Sequence, residues 1–166
     1  MTTYTRLGTS TNLEFDGTYD VLMFEFPKGY PNGPLNLAFG NNPRKVTGVQ
    51  KVAQALAYCL FTTKGSDPIR PNFGTEFVSM ALASNISSDP ADMTREVISS
   101  ISDAEKQVKI LLNGSGRDKA SQLDSARLIV IDSQPDGVTV MIRIVTRAGE
   151  KAAVAVPFPQ TNLEFN

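Results

Sequence analysis

The chain has 166 residues, enough to bury roughly 70% of its unfolded surface in one core without a metal or disulfide. Sixteen Lys and Arg against seventeen Asp and Glu leave a formal net charge of -1 with no basic run, so neither nucleic acid nor a membrane surface is expected as a partner. With no histidine and one cysteine, the composition excludes Ser-His-Asp triads, Cys-His dyads, His- or Cys-rich zinc sites and an internal disulfide.

The first residues, Met1 to Arg6, are polar with no apolar stretch behind them, which argues against a secretory signal, and no run reaches the ~18 apolar residues of a membrane span. A soluble protein made in the cytoplasm is expected. Residues 1–44 read as an extended arm containing one strand, Tyr19 to Phe26, which is short, apolar and aromatic. Turn residues follow at Pro27-Lys28-Gly29-Tyr30-Pro31-Asn32-Gly33-Pro34, and Gly40-Asn41-Asn42-Pro43 closes the segment. An irregular lobe packed on the same domain is the other reading of this stretch.

Residues 45–166 read as an α+β domain. From Thr47, Val49, Val52, Ala53, Leu56, Cys59 and Leu60 recur at helical spacing and place Cys59 on the apolar face, as a small core residue. That helix stops near Thr63, with Gly65 behind it. The segment 65–74 has two prolines, two glycines and an exposed-looking Arg70, the composition of a rigid, shaped loop. A second short helix is predicted from about Thr75 to Ala83, burying Phe77, Met80 and Ala81. Asp89-Pro90-Ala91-Asp92 then sets a helix start with Asp at the N-cap and Pro in the first turn. Met93, Val97, Ile101, Ala104, Val108, Leu111 and Leu112 form the buried stripe of this third helix.

Asn113-Gly114-Ser115-Gly116 breaks the helix, and a polar stretch runs to Ser125. Leu128 to Ile131 is predicted as a strand, Gln134-Pro135-Asp136-Gly137 as a turn, and the alternation of Val138, Val140, Ile142 and Ile144 as a strand with one buried face. After a turn at 147–151, Ala152 to Phe158 forms a third strand that Pro157 and Pro159 end or confine to a sheet edge. The expectation is about three helices followed by an antiparallel β-meander. Thr11-Asn12-Leu13-Glu14-Phe15 recurs as Thr161-Asn162-Leu163-Glu164-Phe165, without the periodicity of a solenoid.

Little here points to catalysis. The glycines do not form a phosphate-binding loop. A glycosidase needs only two carboxylates, and Glu76, Glu96, Asp103 and Glu105 qualify by type. Each lies on or beside a predicted helix among polar neighbours, where carboxylates are usually solvated, and a catalytic acid needs burial to raise its pKa. Asp103-Ala104-Glu105-Lys106 reads most simply as a polar helix face with local ion pairs. No enzymatic activity and no cofactor are expected.

The order of pieces resembles a known family. The helix at Val49-Gln50-Lys51-Val52-Ala53-Gln54-Ala55-Leu56, the segment Thr62-Thr63-Lys64-Gly65-Ser66 and the loop Pro71-Asn72-Phe73-Gly74 are similar to the small baseplate-wedge subunits of contractile phage tails. TssE-like subunits of type VI secretion systems are among that family's relatives. The resemblance runs from about Val46 to Phe158. Its pattern is a helix, a Thr-x-x-Gly segment, a Pro-x-Phe-Gly loop, a long helix ending in Glu-Pro-Arg, and an antiparallel sheet. This chain offers Glu105-Lys106-Gln107 for Glu-Pro-Arg, an insertion-like stretch from Asn113 to Ser125, and a longer arm.

The resemblance implies a structural protein of the virion, assembled in the host cytoplasm into the tail baseplate. Its implied partners are a larger wedge scaffold protein, the tail sheath protein, which would attach by strand addition, and other wedge and hub subunits. Arg70, Pro71, Phe73, Gly74, Asp103, Glu105 and Lys106 are the interface residues it suggests. Some members carry a lysozyme label, which makes a carboxylate-dependent peptidoglycan hydrolase the alternative.

Overall fold

Helix α1 (Gly48–Phe61) is the centre of the structure, a computed structural model that describes residues 5–6, 20–25, 36–37, 44–82, 90–113, 118–134 and 137–159. Every residue from Lys51 to Ala57 is buried, so α1 is enclosed on nearly all sides rather than along one stripe. Alanines at 53, 55 and 57 let its neighbours approach closely. Thr47, at the N-cap, makes no side-chain capping bond. Ser121 supplies it instead: the Gly48 N–H donates to Ser121 Oγ at 3.1 Å, and that hydroxyl donates to Asp118 at 2.7 Å.

Two further helices follow, α2 (Phe77–Leu82) and α3 (Pro90–Asn113). Phe77 is buried and Met80 packs against the core, as the spacing predicts. On α3 the stripe of Val97, Ile101, Ala104, Val108 and Leu112 is buried against α1 and the sheet, with Met93 packed at its edge. Leu111 departs from the expectation at 44% exposed. It stands about 100° round the helix from Leu112, which takes the inward place in the same turn. The proposed Asp89 cap and the Gly114-Ser115-Gly116 break lie outside the described residues.

A short 3-10 turn (Lys119–Ser121) leads into three antiparallel strands, β6 (Leu123–Gln134), β7 (Gly137–Thr146) and β8 (Lys151–Pro159), in the order β6-β7-β8. This is the expected α+β meander. Val138, Val140, Ile142 and Ile144 point into the core, joined by Val154 and Val156 from β8. Strand β6 starts five residues before the predicted Leu128, inside the stretch that looked polar. Leu123 and Ala126 are its inward residues there, and the polar side chains between them face outward. Register shifts between Leu123 and Ser125 and between Leu128 and Val130 change the phase of the alternation, which obscured the strand in the sequence.

Toward the N-terminus the described strands are short: β1 (Thr5–Arg6), β2 (Asp20–Val21), β3 (Phe24–Glu25), β4 (Asn36–Leu37) and β5 (Arg44–Val46). Strand β5 pairs with β1 and β2, and β3 pairs with β4. The predicted single strand from Tyr19 to Phe26 is therefore two strands in different sheets. The reason lies in Gln54 on α1, whose side chain stands in for a strand: its Oε1 accepts from Met23 N–H at 2.7 Å and its Nε2 donates to the Val21 carbonyl at 2.8 Å. Leu22 between them is buried. The turn clusters at 27–34 and 40–43 and both copies of the pentapeptide lie outside the described residues.

Candidate protein-interaction site

The loop from Thr62 to Thr75 is closed at its base by the backbone. Thr75 N–H donates to the Thr62 carbonyl at 2.9 Å, Lys64 N–H donates to the Thr75 carbonyl at 3.3 Å, and Thr62 Oγ1 caps the end of α1 by donating to the Tyr58 carbonyl. At the tip, Asp67 Oδ1 accepts from the N–H groups of Ile69 and Arg70, and Oδ2 accepts from Arg70 Nε at 3.0 Å. The Ile69 N–H foremost, helped by the Arg70 contacts, holds the Asp67 carboxyl below its ordinary pKa. The Arg70 guanidinium lies 4.5 Å from the centre of the Phe73 ring, and that ring packs on Tyr58 at 5.5 Å. Phe73 is buried, while Pro71 and Asn72 are exposed.

Gly74 ends the loop with φ +104, a conformation that L side chains rarely adopt, and a Cβ there would run into the Thr62 carbonyl. Its backbone is gripped from α3 by Gln107, which the sequence offers only as the last residue of Glu105-Lys106-Gln107 and not as a site residue. Gln107 Oε1 accepts from the Gly74 N–H and Gln107 Nε2 donates to the Gly74 carbonyl, both at 2.8 Å. The Cys59 thiol donates to the same Oε1 at 3.6 Å. Burial is the main influence on Cys59, pushing its pKa up to about 11 despite the Gly74 backbone bond. The signals for Gln107 in the sequence are its place in the triplet that stands for Glu-Pro-Arg and its position beside Val108 on the α3 stripe.

The seven predicted site residues divide into three places. Arg70, Pro71, Phe73 and Gly74 form the loop. Asp103 and Lys106 pair with each other at 3.1 Å on the exposed side of α3, the local ion pair their spacing suggests. Glu105 faces the other flank, where Oε1 accepts from Lys109 at 2.6 Å and Oε2 accepts from the Ala126 N–H at 2.9 Å. Burial favours its neutral form, but the Lys109 and Ala126 bonds outweigh it and lower the pKa. Gln107 draws the loop and α3 together, whereas Glu105 belongs to the sheet. Glu105-Lys106-Gln107 sits within α3, with six more helical residues before its end at Asn113, and not at the helix terminus where the resemblance put a Glu-Pro-Arg motif.

The two edges of the sheet differ. Helix α3 occupies the first part of the β6 edge: Asn113 exchanges two bonds with the Leu123 backbone, each 3.1 Å, and Glu105 takes the Ala126 N–H. At β8 the phase follows from the turn, where Thr146 N–H donates to the Glu150 carbonyl. Residues 152, 154 and 156 therefore bond to β7, and the backbone N–H and C=O groups of Lys151, Ala153 and Ala155 point away from it. Pro157 and Pro159 fall in the same outward phase, so their missing donors cost the sheet nothing.

Residues 46–129 match the family model described as Baseplate wedge protein gp25. A crystal structure of a protein from Geobacter sulfurreducens, provisionally described as a tail lysozyme, aligns at 16% identity with a TM-score of 0.43, covering 69% of this chain and 93% of that one. No curated protein matches the sequence. No helix among the described residues is long and apolar enough to cross a membrane.

Proposed function

Because the chain belongs to the baseplate wedge protein gp25 family and so has a structural role in a phage tail baseplate, we propose that it works without catalysis, as an acceptor and anchor for neighbouring subunits. The observation that carries this reading is the β8 edge, which pairs with no further strand among the described residues. Three successive outward N–H groups at Lys151, Ala153 and Ala155, beside small side chains, suit an incoming strand, which is the means of attachment we assign to the tail sheath protein. The loop 62–75 and the adjoining exposed side of α3 are the surface for a larger wedge scaffold protein. Contacts with other wedge and hub subunits fall to the segment before residue 45, of which Gln54 holds Asp20, Val21 and Met23.

The carboxylates support the non-catalytic half of the proposal. Glu105 is committed to Lys109 and a backbone N–H and held below its ordinary pKa, the opposite of what a general acid requires. Asp103 is exposed and paired, and Glu76 and Glu96 are exposed. A proline at Ala153 tests the edge directly. Its lost N–H is one that β7 does not use, so Ala153→Pro is expected to leave a folded monomer but to give baseplates that fail to nucleate sheath. Normal sheath on tails carrying this variant would remove strand addition at β8. Lysis of peptidoglycan by the wild-type protein, lost in Glu105→Gln or Glu76→Gln, would replace the structural reading with the hydrolase.

A further inference from the structure

The face of the sheet turned away from the core carries a charge pattern that no ion pair among the described residues neutralises. Because Val138, Val140, Ile142 and Ile144 point inward, Met141, Arg143 and Val145 point outward. Arg143 stands directly across the ladder from Arg127 on β6, a pair whose Cβ atoms are about 4.5–5.5 Å apart by strand geometry, and both are exposed. Lys151, opposite Val145, adds a third exposed cation two residues along the same face. Like charges facing each other across a ladder are destabilising.

None of the ion pairs among the described residues involves Arg127, Arg143 or Lys151. Glu105 feels the charge of Arg127 but spends its oxygens on Lys109 and Ala126. Of the other carboxylates nearby, Asp132 lies opposite Thr139, Glu150 precedes Lys151, and Asp124 occupies the irregularity after Leu123, so none sits across from the arginine pair.

We propose that Arg127 and Arg143 form a clamp for the carboxylates of an acidic segment on a neighbouring baseplate protein, with Lys151 at its margin. The partner's identity as a baseplate protein rests on the function proposed above; the clamp itself rests on the register. Each guanidinium can present a two-pronged donor to a carboxylate, and a carboxylate between the two removes the repulsion. Val130, Met141 and Val145 around the clamp favour a peptide with apolar side chains over a phosphate backbone, which is gripped by longer tracks of cations.

The test uses the full chain and a fluorescent hexaglutamate peptide, with a short single-stranded oligonucleotide as the competing polyanion, both at low salt. The peptide is expected to bind wild type more tightly than the oligonucleotide does, and R127Q/R143Q to bind it roughly tenfold more weakly. The melting temperature of the variant should stay level or rise, since its wild-type pair is repulsive. Equal peptide binding by the variant, no binding up to about 1 mM peptide, or tighter binding of the oligonucleotide would each overturn the clamp. If the chain is found in baseplates but the peptide does not bind, the clamp alone fails. Peptide binding by a chain never found in baseplates removes the structural role and leaves the clamp.

Discussion

Replacing Gln107 by alanine tests whether the loop at 62–75 is held by α3. The change removes two amide bonds of 2.8 Å and leaves the Gly74 N–H and carbonyl, both on a buried residue, facing a gap. A buried polar group stripped of its partner costs about 1–3 kcal/mol, and water can reach part of this half-buried position, so a loss of about 3 kcal/mol is expected. For a chain of this length that corresponds to a fall of roughly 6–12 °C in Tm. Urea unfolding followed by circular dichroism gives the free energy, and hydrogen exchange at the Gly74 amide shows whether the loss is local. Lys106→Ala, one residue away, is the control: its exposed pair with Asp103 contributes only about 0–1 kcal/mol. If Gln107→Ala cost no more than Lys106→Ala, or left the Gly74 amide as protected as before, the idea that α3 fixes this loop would have to be dropped.

Other perturbations have equally definite outcomes. Gly74→Ala combines positive φ with a clash against backbone and is expected to destabilise by at least about 2–3 kcal/mol, measured in the same urea series. Glu105→Gln should lower stability at pH 7. Because the folded-state pKa of Glu105 is depressed, its contribution is fully present above the unfolded value near 4.3 and disappears as pH falls through the folded pKa; the gap between wild type and variant should therefore be constant from about pH 8 to 5 and close toward pH 3. A gap that widened in acid would contradict the assignment. Cys59 should resist alkylation at pH 8 and become reactive only as urea unfolds the chain. Deleting residues 1–19 should leave stability nearly unchanged but weaken incorporation into baseplates. Deletion through 44 should cost about 2–4 kcal/mol more, because it empties the site of Leu22 and strips the partners of Gln54.

What the sequence made legible was whatever repeats. The stripes from Val52 to Leu60 and from Val97 to Leu112 and the alternation from Val138 to Ile144 show their periods plainly, and these are the packed surfaces of the core. The prolines at 157 and 159 left two readings, a strand end or a sheet edge, and the strand runs through to Pro159 at the edge of the described sheet. Single tertiary bonds have no period. Gln54 holding a strand, Gln107 holding a glycine and Ser121 capping α1 from 73 positions away all look like ordinary polar residues until the chain is folded. The β6 start was hidden by two irregularities in register, and Glu105 looked like a solvated acid although it binds an edge amide. Of the predicted site, the loop was recognised as a shaped unit, but the residue that fixes its shape was read only as a departure from a motif.

The sheet is finished on one side by its own helix, through Asn113 and Glu105, and among the described residues no strand finishes the other. On the function proposed above, such a subunit has polarity: it would accept a strand along Lys151 to Ala155, whereas its own helix blocks Leu123 to Ala126. Beyond Ala155 the prolines supply no donors, so a strand added there would be measured as well as directed. A surface of this kind starts a structure once and does not propagate copies of itself, which is a useful property for a part that must lie at the end of something long.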